Sequence, residues 1–278
     1  MDSAFIPISE PGLAFLGLTL FVVLSAACEI GYQIGRRRRG KAGAAEAHAS
    51  DTTTLTGGML ALLAFMLGLT IDFAQHRFES RRELVAVEAN TIGTAWQRAH
   101  MVGGAEGEAL AGLIEGYART RLEFTRAGYR GPIAALIART SREQAAIWRL
   151  TTSLARRSPT PITAILVTSV NEMLDASLSQ RFAFDGRAPG DMLALLVLGS
   201  IVAIGAMGFQ MGVGGARQPV LTSLLLLMWT GGIVMTFDLN QPRLGNIPVD
   251  SSPLKWTIQE FDDTRAALTP PAILEEKP

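Results

Sequence analysis

The chain has 278 residues, 48% of them hydrophobic, and its 25 basic and 25 acidic residues cancel. Zero net charge gives no electrostatic case for a nucleic-acid partner, and the charges are excluded from four windows, which a soluble globule of this length would not do. Of the 25 basic residues 22 are arginine, the cation better suited to bidentate pairing and partial burial, while the lone Cys28 rules out an internal disulfide.

The first window, Pro11 to Cys28, holds eighteen uncharged residues and can continue as helix to Gly35. Ser25-Ala26-Ala27-Cys28 resembles a lipoprotein lipid-attachment box. However, no Lys or Arg precedes the window and no leucine stands three residues before the cysteine, so a retained membrane helix is the reading taken. Gly31 and Gly35 form a small-xxx-small pair where another helix can approach. Arg36 to Arg39 with Lys41 then read as a headgroup anchor, and the stretch 42–54 reads as a small-residue linker. Between Asp51 and Asp72 lie twenty residues without a charge, enough to cross a hydrocarbon core of about 30 Å. Beyond Asp72 charged residues arrive among good helix formers, while Val85, Ala89, Ile92 and Trp96 keep one apolar stripe. The pattern predicts one long helix from Thr52 to about Arg98 that leaves the membrane and continues into water.

From Met101 to Asp191 the patterns are helical and soluble. Met101 to Glu108 breaks the long helix with glycines. Leu110, Leu113, Ile114 and Tyr117 mark the next helix, ended by the Gly128–Pro132 segment. Ile133 to Leu154 carries another, including Ile137, Ile147 and Trp148. After Ser158-Pro159-Thr160-Pro161 a third follows, with Ile162, Ile165, Leu166, Val170 and Met173 as its stripe. No run alternates with period two, so an antiparallel helical bundle is predicted. Met192 to Ala216 gives a third charge-free window of twenty-five residues, with Gly208 and Gly212 as a second small-xxx-small pair, and Gln218 to Phe237 gives the fourth. Only Arg217 lies between them, which demands a helical hairpin, so the four membrane helices form two hairpins. Ser252 is placed as an N-cap with Pro253 at the first helical position, and the last ten residues read as a disordered tail.

Catalytic constellations are missing. His48, His76 and His100 have no second ligand at metal spacing, and there is no nucleophile elbow, Walker loop or dinucleotide fingerprint. Gly212-Val213-Gly214-Gly215 lacks the lysine and preceding strand of a phosphate loop. Asn171 with Glu172, and Asp72 with Arg77, read more readily as structural networks than as acid/base pairs. No enzyme activity, metal or cofactor is expected.

Several elements nevertheless resemble a known family. Phe65-Met66-Leu67-Gly68-Leu69-Thr70, followed by Arg77, is similar to the second membrane helix of bestrophins. Asn171-Glu172-Met173, Phe182-Ala183-Phe184-Asp185, and Asn240-Gln241-Pro242-Arg243-Leu244-Gly245 resemble further bestrophin elements. The resemblance is closer to a bacterial bestrophin-like group marked by R-F-x-x-R-R-x-x-V-x-x-E-A-N-x-I-G-T-A. That motif stands here from Arg77 to Ala95, with Arg81, Arg82, Glu88 and Asn90 inside it. The group's D-x-x-x-P-R-x-G stands as Asp238 to Gly245. Coverage runs roughly from Gly57 to Phe261.

The resemblance implies an all-α, four-helix transmembrane protein with an extramembrane helical bundle between its second and third membrane helices. It also implies a pentameric ion channel lined by five second helices. Carried over by position, the apolar neck falls on Ala61, Phe65 and Leu69. The partners implied are the lipid bilayer, further copies of the chain, and inorganic ions with chloride as a candidate, although charge selectivity does not transfer. A calcium clasp would need an acidic run where only Asp250 stands, so calcium gating is not expected. The chain divides into 1–53 (first membrane helix and basic linker), 54–100 (second membrane helix extending into a soluble helix), 101–190 (soluble bundle), 191–238 (transmembrane hairpin) and 239–278 (C-terminal tail). The arginines after the first helix argue for a bundle outside the cell, and Arg77, Arg81 and Arg82 argue the reverse. The resemblance places the bundle in the cytoplasm and the helices in the inner membrane. A membrane-anchored helical interaction module is the alternative.

Overall fold

The computed structural model describes residues 10–39, 45–127, 131–186, 190–215, 217–241 and 247–268, without the side chains of 10–11 and 45–52. Eight helices follow one another: α1 (Glu10–Arg39), α2 (Ala45–Val102), α3 (Gly104–Arg126), α4 (Ile133–Arg157), α5 (Pro161–Asp185), α6 (Gly190–Gly214), α7 (Pro219–Asn240) and α8 (Ser252–Leu268). No strand occurs among the described residues. The protein is an all-α membrane protein: α1, α2, α6 and α7 each contain a stretch long and apolar enough to cross a bilayer. The chain forms two compact units, Met1–Phe78 with Arg187–Ile247, and Glu79–Gly186 with Pro248–Pro278.

In the first unit, α1 lies against α6 through glycines that face each other. A Cβ on Gly31 would collide with the carbonyl oxygen of Gly205, and one on Gly35 with that of Phe209. Conversely, side chains at Gly208 and Gly212 would strike the carbonyl oxygens of Cys28 and Tyr32. The two small-xxx-small pairs are therefore one contact, and the matching order of the partners makes α1 and α6 parallel. The helices of the two hairpins interleave around that contact. Leu13, Leu20, Leu193, Leu196, Ile233 and Phe237 bury one end of the core, and Leu24, Cys28, Ile204 and Leu226 bury the other. Leu67 packs on the first cluster and Leu60 on the second, so α2 runs antiparallel to α1. Trp229 adds a hydrogen bond from Nε1 to Ser200 Oγ at 2.9 Å.

The second unit contains the end of α2 with α3, α4, α5 and α8. Gly103 and Gly104 hold φ of 69° and 66°, a conformation open to glycine and strained for other residues, and so break α2 where the glycine cluster predicted. Thr160 caps α5 in a reciprocal capping box with Thr163, Pro161 following at the first position. Val85, Ala89, Ile92 and Trp96 are all buried, as are Leu110, Ile114, Tyr117, Ile147, Leu166, Val170 and Met173. Helix α8 closes the unit: Phe261 stacks on Trp96 at 4.6 Å and Asp262 pairs with Arg119 at 2.8 Å.

Three local expectations are corrected. The stretch read as a linker is helical from Ala45 onward, because alanines at 45, 47 and 49 favour helix more than the small-residue reading allowed. Trp148, Ile162 and Ile165 are exposed, since α4 and α5 bury narrower faces than their apolar residues suggest. Helix α8 starts at Ser252, and the Ser251 carbonyl accepts the Lys255 N–H at 3.3 Å, so Ser251 is the N-cap and Pro253 the second helical residue. Asp250 accepts the Ser252 N–H at 2.9 Å, and the Ser252 hydroxyl first, then this backbone N–H, hold its carboxyl below the usual range. The tail beyond Leu268 lies outside the described residues.

Candidate pore helix and the buried motif network

The charge-free part of α2 has two chemically distinct faces. Thr56, Leu63, Thr70 and Ala74 are buried, and the methyl groups of Leu63 and Leu67 reach toward Gly199 and Gly232. At about 100° of turn per residue, Phe65 stands roughly opposite that buried line. It is 63% exposed, Leu69 48%, and Ala61 is exposed as well. Asp72 continues the same outward face and lies 3.6 Å from His76, one turn on. Gly57, Gly58 and Gly68 have open space where a Cβ would stand.

The conspicuous polar cluster of the second unit grows from Glu88. It lies on the apolar stripe of α2 and is fully buried, as is Arg121 on α3 at 2% exposure. Arg121 donates to it twice, Nε to Oε1 at 2.5 Å and Nη2 to Oε2 at 3.3 Å. Arg121 also donates to Gln180 Oε1 on α5, and Gln180 Nε2 donates to Thr125 at 3.2 Å. Tyr117 adds an O–H to Glu88 at 3.3 Å. Burial first, then the Glu88 charge, raises the Tyr117 hydroxyl far above the usual tyrosine range. The cluster has the composition of a satisfied structural network, with each buried charge met by an opposite charge or a donor.

Arg81, also buried, caps a helix end: Nε donates to Ala183 O at 3.1 Å and Nη2 to Gly186 O at 3.1 Å. These are carbonyls left open at the close of α5. Other motif positions are peripheral. Arg82 meets Glu79 at 3.7 Å, Arg77 is half-buried, and Asn90 and Glu172 are exposed. Asn171 donates to Asp175 at 3.2 Å, and Asp185 lies 3.7 Å from Arg181. Asp238 and Asn240 end α7, half-buried and buried respectively, whereas Pro242 and Gly245 lie outside the described residues. The structure thus joins Glu88 to α3 and α5 and Arg81 to the end of α5. It does not gather Asp72 with Arg77, or Asn171 with Glu172, into a site. Among the described residues no group of three His, Cys, Asp or Glu could hold a metal ion.

No protein-family model matches the chain, and no curated protein matches it. Solved structures do. A bacterial bestrophin homologue from Klebsiella pneumoniae superposes with a TM-score of 0.63 at 14% identity, covering 91% of this chain and 98% of that one. Two point variants of that homologue give TM-scores of 0.65 and 0.66 at 14% and 12% identity, each covering 91% of this chain and 99% of the other. The chain has the bestrophin fold.

Within the bestrophin fold of this chain, two polar pairs escaped the sequence reading. Arg121 carried a signal: it follows Tyr117 by four residues on the buried face of α3, where an arginine demands a carboxylate, and Glu88 occupies the matching apolar stripe of α2. Gln180 carried none. The second pair is Glu29, the first charge after the opening window, with Arg217, the lone charge of the α6–α7 turn. Arg217 Nη2 donates to Glu29 Oε2 at 2.6 Å.

Proposed function

We propose that the protein is a homo-oligomeric ion channel of the bestrophin type, five copies closing a ring around a pore lined by α2. The observation that supports this reading is the outward face of Ala61, Phe65 and Leu69 on a helix whose opposite face is packed inside its own protomer. Gly57, Gly58 and Gly68 add support, because no described residue comes within 4 Å of where their Cβ would stand and small residues let further helices approach. Five copies would stack rings of Phe65 and Leu69 one turn apart, an apolar constriction that gates by dewetting. The ring of Ala61 would be wider. Asp72 would add five carboxylates on the same face, which favours cations over chloride.

The four helices would lie in the inner membrane with the bundle of the second unit in the cytoplasm. Reconstituted liposomes test the pore. Phe65→Ala with Leu69→Ala should raise ion flux in protein that still assembles, and unchanged flux removes the constriction from this face. The mass of the detergent-purified protein separates a five-membered ring from a monomeric or dimeric anchor, the outcome that the interaction-module reading requires.

A further inference from the structure

The end of the first unit at which α1 finishes in Arg36–Arg39 contains a cavity of about 160 Å³ between α1, α6 and α7. At about 30 Å³ per water it has room for a headgroup rather than a whole lipid. Its polar wall is the ion pair of Glu29 and Arg217 at 2.6 Å, with Ser25 and Ser223 beside it and the Arg217 guanidinium over the Tyr32 ring at 5.0 Å. An open groove of about 420 Å³ adjoins it, sharing Met211 and Thr222 and lined by Met207, Leu221 and Leu225. A polar niche therefore opens onto an apolar channel along the flank of α6 and α7.

Depth identifies what can reach it. Glu29 follows eighteen uncharged residues, which at 1.5 Å per residue span about 27 Å of membrane, so the pair sits where hydrocarbon meets headgroups. Neither partner is saturated by the other. The bond to Glu29 uses one N–H of a five-donor guanidinium. Besides Arg217, Glu29 accepts from Gln33 Nε2 at 3.2 Å, and a carboxylate has about four acceptor positions. Helix α7 starts at Pro219 without a side-chain cap, so the N–H groups of Val220 and Leu221 have no acceptor inside the helix. The Arg217 donors and the Glu29 carboxylate side by side match a zwitterion, with a phosphate for Arg217 and an ammonium for Glu29.

We propose that this niche binds the headgroup of a phosphoethanolamine lipid, one acyl chain lying in the groove between α6 and α7. A primary ammonium can donate to Glu29, whereas a choline headgroup cannot, and an anionic glycerol headgroup offers no cation.

The test uses full-length delipidated protein in detergent. Phosphatidylethanolamine, phosphatidylglycerol and phosphatidylcholine are offered at equal mole fraction, and bound lipid is counted by native mass spectrometry. Phosphatidylethanolamine should be retained about tenfold over the others, a difference of about 1.4 kcal/mol. Glu29→Gln should abolish that preference, whereas Arg217→Gln, which removes the donor to a phosphate common to all three lipids, should weaken retention of all three. Leu225→Trp, which fills the groove and leaves the ion pair intact, should weaken retention of all three lipids, and it decides the matter if the charge variants fail to fold. Soluble glycerophosphoethanolamine should not compete, because it lacks the chain. Equal retention of the three lipids, a preference for phosphatidylglycerol, undiminished retention by Leu225→Trp, or full competition by the soluble headgroup would each overturn the proposal.

Discussion

Removing a carboxylate from water costs several kcal/mol unless a partner and hydrogen bonds compensate, and two bonds from Arg121 and one from Tyr117 offset much of that cost at Glu88, although burial still holds its carboxyl above the usual range. Breaking the pair from one side leaves an uncompensated buried charge. Arg121→Met should therefore lower unfolding stability by about 3–5 kcal/mol, read from denaturant midpoints in detergent. The double variant Glu88→Leu with Arg121→Met should recover most of that loss, because no charge then remains buried. A double variant as unstable as the single one would mean that Gln180 and Tyr117, not charge compensation, hold the cluster. Tyr117 makes a separate pH prediction. Its hydroxyl is held protonated in the folded state by burial and by Glu88, whereas in the unfolded chain it ionises near pH 10. Above that pH the unfolded state binds fewer protons, so stability is fully present below about pH 10 and falls as pH rises beyond it. Tyr117→Phe should flatten this alkaline decline between about pH 9.5 and 11 relative to the parent. A decline of unchanged steepness would place the sensitive group elsewhere.

Helix-level features were the most legible in the sequence, because they depend on local chemistry. Charge-free windows, the Gly103-Gly104 break and the Thr160-Pro161 start each fix an element without reference to distant residues. What was not legible depended on pairing across the chain. Glu88 and Arg121 are 33 residues apart and Arg121 and Gln180 are 59, and no period in the sequence reports which face of α3 meets which face of α5. The glycine pairs fall between these cases. Each announced a close approach, but only the fold shows that Gly31 and Gly35 of α1 meet the α6 helix that carries Gly208 and Gly212. Substitution at these positions should therefore separate packing from propensity. Gly208→Ala places a methyl against the Cys28 carbonyl and should destabilise by about 1–3 kcal/mol through overpacking, despite alanine's helix preference. Gly231→Ala meets nothing nearby and should stabilise by up to about 1 kcal/mol. Thermal unfolding of the two variants side by side checks the contrast, and equal shifts would remove the tight α1–α6 contact.

Orientation in the membrane is a property of the whole molecule that its charges alone leave balanced. In the first unit, α1 and α6 run one way and α2 and α7 the other, so Arg36–Arg39 and Arg217 share one end while Arg77 marks the opposite end. The positive-inside tendency counts basic residues flanking the helices, and here it pulls toward both ends. We propose that the second unit, which holds the buried Arg121–Glu88 pair, tips the balance, because a segment that folds as a body is retained more simply than it is moved across between two membrane helices. The expected arrangement therefore has the bundle in the cytoplasm and the α6–α7 turn outside. On a Cys28→Ser background, Ala105→Cys at the exposed start of α3 should resist a membrane-impermeant maleimide in intact cells and react after permeabilisation. Gln218→Cys, at the start of α7, should react in intact cells. The opposite pattern would invert the protein in the membrane, put the arginine run of α1 in the cytoplasm, and place the Asp72 end of α2 on the outer side.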